Sequence, residues 1–377
     1  MRTTALAAVC TSLRKPLEVV DLIVEAPRAG EVAVRVIAAG ICASDLSVQK
    51  GDLPGPLPIV LGHEGAGVVT AVGAGVEQIV VGDHVTVCAM PQCGRCRRCV
   101  RGQTGLCERA DGVLFSGAQL DGSRRFRTVD GIPVAQMVAA GTFAESVVVP
   151  AISVVPLPRE FPFAPAALLG CAVLTGMGAA RNTAAIRPGD TVAVLGCGSV
   201  GLSAIQGARL AGAGRIVAID LIEAKLGLAR TVGATDVVGA RDADVVAAVK
   251  DLTAGRGAEV TIEAVGAQAT VDAAIRMTDR GGEVVFVGAG GPAIRIDIPQ
   301  FRGLVGSAKT FKGCLFGAAD IHRDIPQFVE YYRTGELLLD ELVSRTFGLH
   351  EINDGFAAVA AGELISAVVR FDLQEAS

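Results

Sequence analysis

Two textures divide this chain. From about residue 172, short apolar runs suited to buried parallel strands (Thr191–Leu195, 215–219, 259–262 and 283–287) alternate with alanine-rich segments of helical period at 202–211 and 221–232. A parallel strand buried on both faces needs helices above and below it. The alternation therefore predicts an α/β fold with a doubly wound parallel sheet. The first third reads differently. Residues 31–38, 67–72 and 83–88 cluster β-branched residues between Gly, Pro and Asp, and 1–10 reads as an opening strand. After about Phe316 the alternation stops, and 368–373 is again an isolated β-run. At 377 residues the chain is long enough for about two domains. The simplest division is a discontinuous β-rich domain, 1–171 with 317–377, interrupted by an α/β domain at 172–316.

Four cysteines, Cys93, Cys96, Cys99 and Cys107, follow one another as C-x2-C-x2-C-x7-C. Such spacing can wrap a tetrahedral thiolate site, and Zn²⁺ takes four such ligands in a closed structural centre. Four unrelated thiols would favour apolar neighbours, whereas Gly94, Arg95, Arg97 and Arg98 make a polar, electropositive loop that stabilises thiolates.

Directly after the strand Thr191–Leu195 comes Gly196-Cys197-Gly198-Ser199-Val200-Gly201, a G-x-G-x-x-G run that opens a helical segment. The first glycine permits a tight turn, the second lets backbone approach a pyrophosphate, and the third allows close helix–sheet packing. Gly196, Gly198, Val200 and Gly201 are thus candidate cofactor contacts, with the helix N-terminus facing phosphate charge. Asp220 ends the next strand, where an acid accepts hydrogen bonds from an adenosine ribose and repels a 2′-phosphate. NAD is therefore expected rather than NADP. Lys225, one helical turn on, could also reach the ribose. The alternative for Asp220 is a helix N-cap.

Composition excludes several classes. A net charge of −5 gives no broad basic field for nucleic acid. No uninterrupted apolar stretch is read as long enough to span a bilayer, and the N-terminal run lacks a small-residue cleavage pattern. Of ten cysteines in this long chain, four fall in a metal-like spacing rather than a disulfide framework, which fits a reducing cytoplasm. Residues 110–141 read as a long irregular polar loop, the kind that is functional or meets a partner.

Cys42, His63 and Cys171 are scattered, and spacing alone does not group them. A family likeness does: Gly62-His63-Glu64-Gly65-Ala66-Gly67-Val68-Val69, the four-cysteine lobe, and Gly196–Gly201 with Asp220 together resemble the zinc-containing alcohol dehydrogenases of the medium-chain dehydrogenase superfamily, over nearly the whole chain. The resemblance implies a GroES-like β-rich catalytic domain beside a Rossmann domain, with two Zn²⁺ per chain and NAD. It implies that Cys42, His63 and Cys171 hold a catalytic zinc, with Glu64 as an alternate ligand, Asp45 orienting the histidine and Ser44 receiving the alcohol proton. Thr175 then lies near the nicotinamide and Arg370 on the cofactor pyrophosphate. The implied reaction is reversible hydride transfer between an alcohol and NAD.

Three positions depart from well-known members. Ala43 stands where many carry a basic residue, removing one pyrophosphate contact, and Ser47 replaces a histidine at the end of the proton relay. Ala89 replaces a phenylalanine over the zinc, which predicts bulky or aromatic primary alcohols as substrates. The same motifs also fit a thiol-adduct formaldehyde dehydrogenase, a nicotinoprotein that retains its NAD, or a zinc-stabilised binding protein without catalysis. The 110–141 loop resembles that of dimeric members, so a homodimer is expected, with a homotetramer as the alternative. No nucleic-acid or membrane partner is expected.

Overall fold

The computed structural model describes residues 2–241 and 244–371, arranged as two compact units. The first unit comprises 1–171, 320–333 and 342–377, and the second 172–319 and 334–341. The end of the run expected at 368–373 lies outside the described residues, and its strand is Ser366–Arg370.

The first unit is built on two sheets. Five short strands close a barrel in the order Thr3–Cys10, Glu18–Val24, Phe126–Arg127, Pro133–Gln136 and Ile59–Val60. The second sheet runs Val154–Leu157, His84–Val87, Glu64–Val72, Glu31–Ile41, Ser366–Arg370 and Val343–Gly348, and Ser146–Pro150 also pairs with Glu31–Ile41. Glu31–Ile41 lies at its centre, and of its eleven residues only Arg35 is exposed. This explains its near-continuous apolar run.

The stretch 110–141, expected as irregular loop, supplies two of the barrel strands. One has two residues and the other four, too short for an alternating pattern to be read in sequence. Their packing is nonetheless complete, with Phe126, Val134 and Ala135 buried. Beside them Arg125 is 0 % exposed. Its Nε donates to Glu31 Oε2 at 2.8 Å and one terminal nitrogen to Glu31 Oε1 at 2.6 Å, a bidentate pair that pins this stretch to the central strand.

In the second unit we number the strands β1 Thr191–Leu195, β2 Arg215–Asp220, β3 Asp236–Gly239, β4 Ala258–Glu263, β5 Thr278–Phe286 and β6 Thr310–Gly313. They form one parallel sheet in the order β3-β2-β1-β4-β5-β6, the doubly wound dinucleotide-binding order. Ala193, Leu195, Val217, Ile219, Val284 and Met277 pack in its core. The strands β3 and β6, four residues each and only partly buried, carry too few apolar residues to be found by pattern.

The division of the chain differs from the expected one after residue 316. A β-carbon at Gly317 would collide with the Leu174 carbonyl, which holds this turn in the second unit. Residues 334–341 also belong there, because the Gln206 amide donates to Leu338 O at 3.0 Å and accepts from Leu338 N at 2.7 Å. One helix, Phe163–Thr183, is 21 residues long and apolar enough to cross a membrane, contrary to the expectation that no stretch reaches that length. Burial accounts for its composition, since 89 % of its apolar window lies inside the protein.

Replacing Arg125 with Leu should destabilise the protein by about 3–5 kcal/mol, because Glu31 is left buried without its partner. Urea denaturation followed by circular dichroism measures this. The double change Arg125→Leu with Glu31→Leu should recover part of the loss, and an unaltered midpoint in the single variant would show that the pair contributes nothing.

Candidate active site

Cys42, His63, Glu64 and Cys171 each offer a donor atom, and the four atoms lie within 4.8 Å of one another. Three pieces of backbone bring them there. Cys42 follows the central strand and is the N-cap of the helix Ala43–Lys50. His63 and Glu64 stand at the start of Glu64–Val72, whose register places Glu64 opposite Gly40. Cys171 sits in a π-helical turn, Leu169–Val173, of the long apolar helix. Such one-turn bulges change which way a helical side chain points.

Two glycines make room for this cluster. A β-carbon at Gly40 would collide with Glu64 Oε2, and one at Gly170 would collide with the Val87 carbonyl oxygen. Neither position was found in the sequence, because their importance depends on strand register and helix approach, which no local pattern encodes.

Asp45 fixes the geometry. Fully buried, it accepts Cys42 N at 2.9 Å on Oδ2 and Gly62 N at 2.9 Å on Oδ1. The same Oδ1 lies 3.3 Å from His63 Nδ1. A proton on Nδ1 directed at the carboxylate leaves the Nε2 lone pair for the cluster, the usual way a carboxylate sets a ligating imidazole. Ser44 Oγ is 3.3 Å from that Nε2.

The electrostatics are those of a crowded polar site in the interior. The hydrogen bond from Cys171 holds the Cys42 thiol well below its usual range, aided against burial by His63. Cys171, the donor of that bond, is pushed well above it, also by burial. Burial pulls the His63 imidazole down, but the charge and hydrogen bond of Asp45 outweigh it and raise it well above its usual value. Burial, then the neighbouring Cys42 charge, raises Glu64.

The sulfurs of Cys93, Cys96, Cys99 and Cys107 form a second cluster of donors within 4.8 Å. Backbone N–H groups point at them: Cys93 N donates to Cys107 Sγ at 3.4 Å, and Cys99 N and Glu108 N donate to Cys96 Sγ at 3.5 Å. Those two bonds to Cys96 lower its thiol to about 6.

In the second unit Gly196 has φ of +91°, the left-handed conformation that favours glycine. A β-carbon at Gly201 would collide with the Gly196 carbonyl, whereas one at Gly198 would meet nothing within 4 Å. The helix α1, Ser199–Leu210, starts there with no side-chain cap and no acidic residue in its first turn. The Val200 carbonyl lies where a β-carbon on Gly176 would collide, so the helical segment carrying buried Thr175 packs against α1. Asp220 does not cap the following helix, whose N-cap is Ile222. Instead its two oxygens accept Cys197 N at 2.7 Å and Ile222 N at 2.9 Å, bracing the glycine turn. Lys225, nearly buried, lies on that helix. Arg370 belongs to the first unit, at the end of its strand opposite Ala38.

Of the positions that depart from the expected pattern, Ala43 opens the helix after Cys42 and Ser47 donates its hydroxyl to the Ala43 carbonyl at 3.1 Å. Ala89 is fully buried, with its N–H on the Gly170 carbonyl at 3.3 Å, directly beside the turn that carries Cys171. Burial pushes the neighbouring Cys88 thiol up.

Residues 28–159 match the family described as alcohol dehydrogenase GroES-like domain, and 199–332 the one described as zinc-binding dehydrogenase. A Mycobacterium tuberculosis protein provisionally named alcohol dehydrogenase D is 40 % identical over 98 % of this chain and 100 % of its own. An Escherichia coli S-(hydroxymethyl)glutathione dehydrogenase is 39 % identical over 97 % of this chain and 99 % of its own. Among solved structures, benzyl alcohol dehydrogenase from Acinetobacter calcoaceticus superposes with a TM-score of 0.91 at 31 % identity, covering 98 % of this chain and 99 % of that one. Likeness of this extent, on a fold that gathers both cysteine clusters, places the chain in the zinc-containing alcohol dehydrogenase family.

Proposed function

We propose that this protein is an NAD-dependent zinc alcohol dehydrogenase that interconverts a primary, bulky or aromatic alcohol and its aldehyde. The observation that carries the reading is the buried set of Cys42, His63 and Cys171, with the Ser44 hydroxyl 3.3 Å from the imidazole. Two thiols and an imidazole are a zinc donor set that leaves a coordination position for substrate, and Glu64 is an alternate ligand beside them. The four sulfurs of Cys93, Cys96, Cys99 and Cys107 suit a closed structural zinc, giving two metals per chain. The glycine loop suits a dinucleotide, because the open space at Gly198 and the uncapped start of α1 are what a pyrophosphate needs.

When bound, zinc supplies Lewis acidity to the alcohol or carbonyl oxygen, and NAD supplies the hydride acceptor. The chain's own groups do the rest. Asp45 holds the His63 ring so that Nε2 faces the metal. Ser44 Oγ receives the alcohol proton. With Ser47, whose hydroxyl donates to the Ala43 carbonyl, in place of a relay histidine, the proton's onward path runs through water or the cofactor's ribose hydroxyls. Asp220 accepts hydrogen bonds from the adenosine ribose, with Lys225 beside it. Thr175 is assigned to the nicotinamide and Arg370 to the pyrophosphate. Ala89, beside the Cys171 turn, stands where some relatives place a phenylalanine over the zinc, and this smaller residue favours a bulky or aromatic alcohol. The identity to an S-(hydroxymethyl)glutathione dehydrogenase favours a second reading, in which the alcohol is a thiol adduct of formaldehyde.

Metal analysis of the purified protein should find two zinc ions per chain. Cys171→Ser should lose one of them and nearly all activity while keeping the melting temperature. Cys99→Ser should lose the other and melt lower. A wild-type protein with a single zinc and no turnover would remove Cys42, His63 and Cys171 from the proposal.

Benzyl alcohol should exceed ethanol in kcat/KM by about tenfold or more, the usual gain from filling an apolar pocket. Ethanol turned over as well as benzyl alcohol would end the aromatic assignment, and S-(hydroxymethyl)glutathione far above both would favour the second reading.

Asp220→Ala should shift the ratio of kcat/KM with NADP to that with NAD upward by about tenfold, equivalent to ~1.4 kcal/mol of relieved repulsion. An unchanged ratio would return Asp220 to a purely structural role.

A further inference from the structure

Glu263 ends β4, the strand paired directly with β1, and is 0 % exposed. In open parallel sheets ligands sit outside the strand ends where the strand order turns back, which here is the gap between β1 and β4. Its Oε1 gathers three donors: Val265 N at 2.9 Å, Gly266 N at 2.8 Å and Thr270 Oγ1 at 2.7 Å. Its main-chain oxygen accepts Val287 N at 2.8 Å and Gly288 N at 3.0 Å. One residue thus ties the loop after β4 to the loop after β5.

Those loops meet backbone to backbone. Gly266 has φ of +80°, and a β-carbon there would approach Gly290 N to 2.6 Å. The same loop forms a wall of the glycine turn, since a β-carbon at Gly196 would lie 2.6 Å from Val265 Cγ2. The second carboxyl oxygen, Oε2, is buried with no hydrogen-bond partner, and a β-carbon at Gly288 would come within 2.8 Å of it. An unpartnered buried oxygen is unfavourable, so Glu263 is a poor choice for stability alone. What the carboxylate provides is convergence of two N–H groups and one hydroxyl on a single oxygen.

We propose that Glu263 is a positioning residue for the nicotinamide half of the dinucleotide. The inference rests on the cofactor reading above. Asp220 assigns the adenosine to the β2 side of β1, and the glycine turn between them takes the pyrophosphate. The remaining nucleotide then falls on the β4 side, against the loop after β4 that the Glu263 carboxylate holds. Glu263 acts through this backbone and makes no contact with the cofactor.

The test is calorimetric titration of the zinc-loaded protein with NADH and, separately, with ADP, which reports only the adenosine side. Glu263→Leu should weaken NADH by about tenfold or more and leave ADP within about twofold. Glu263→Gln keeps an oxygen for the two backbone donors and should restore most of the NADH affinity. Unchanged NADH affinity in Glu263→Leu, or equal loss of NADH and ADP, would overturn the proposal. Should Glu263→Leu fail to fold, Thr270→Val decides: it removes one donor from the same oxygen and should produce a smaller loss confined to NADH, and no such loss overturns the assignment. A wild-type protein that binds neither NADH nor ADP would sink the dinucleotide reading itself.

Discussion

A single buried carboxylate ties together the segments that carry Cys42 and His63. Asp45 accepts the N–H of Cys42, which precedes its own helix, and the N–H of Gly62, and it faces the ring of His63. Two donor side chains from separate segments are thereby indexed to one rigid group. A carboxylate in this setting is expensive to bury, and its donors offset the cost only while all of them stay in place. The helix Ala43–Lys50 buries Leu46 and Val48, and Asp45 in its first turn adds these hydrogen bonds to that packing. Ser44, one residue earlier, inherits its position from both.

The second unit works by a different economy, in which the missing side chains matter most. Gly201 sits on the Gly196 carbonyl, Gly176 on the Val200 carbonyl and Gly207 against Met177 and Ala180. Backbones approach closely enough for the helices to lie against the sheet and against one another, and the polar groups of the loops are then aimed by main-chain geometry. Asp220 and Glu263, at the ends of β2 and β4, play matching parts. Asp220 uses both carboxyl oxygens to collect N–H groups from the loops after β1 and β2, and Glu263 uses one to collect two from the loop after β4.

The parts of this design that sequence makes legible are those with local signatures. The cysteine lobe is one, because its four cysteines come from fifteen consecutive positions, 93–107. The strands β1 and β2 with the glycine turn are another, because buried parallel strands are uniformly apolar. Cys42, His63 and Cys171 could be grouped only through family likeness, since no periodicity links a helix N-cap, a strand start and a π-helical turn. Gly40 and Gly170 were invisible for a related reason: each is small because of an atom far away in sequence. The barrel strands Phe126–Arg127 and Pro133–Gln136 were mistaken for irregular loop because polar residues flank them, and Arg125 in particular reads as a surface residue until Glu31 is seen opposite it.

The double hydrogen bond between Gln206 and Leu338 bears on how the chain can be cut. The α/β unit looks like a contiguous insertion that ends near residue 319, yet one amide on α1 is satisfied, as donor and as acceptor, only by a segment that arrives after the chain has already returned to the other unit. A nascent chain must therefore release residues 334–341 before the dinucleotide-binding unit is complete. A truncated version stopping at the apparent boundary would carry an orphaned glutamine amide in its interior. The unit's structural boundaries are consequently discontinuous, and a portable form needs that later segment grafted onto its end.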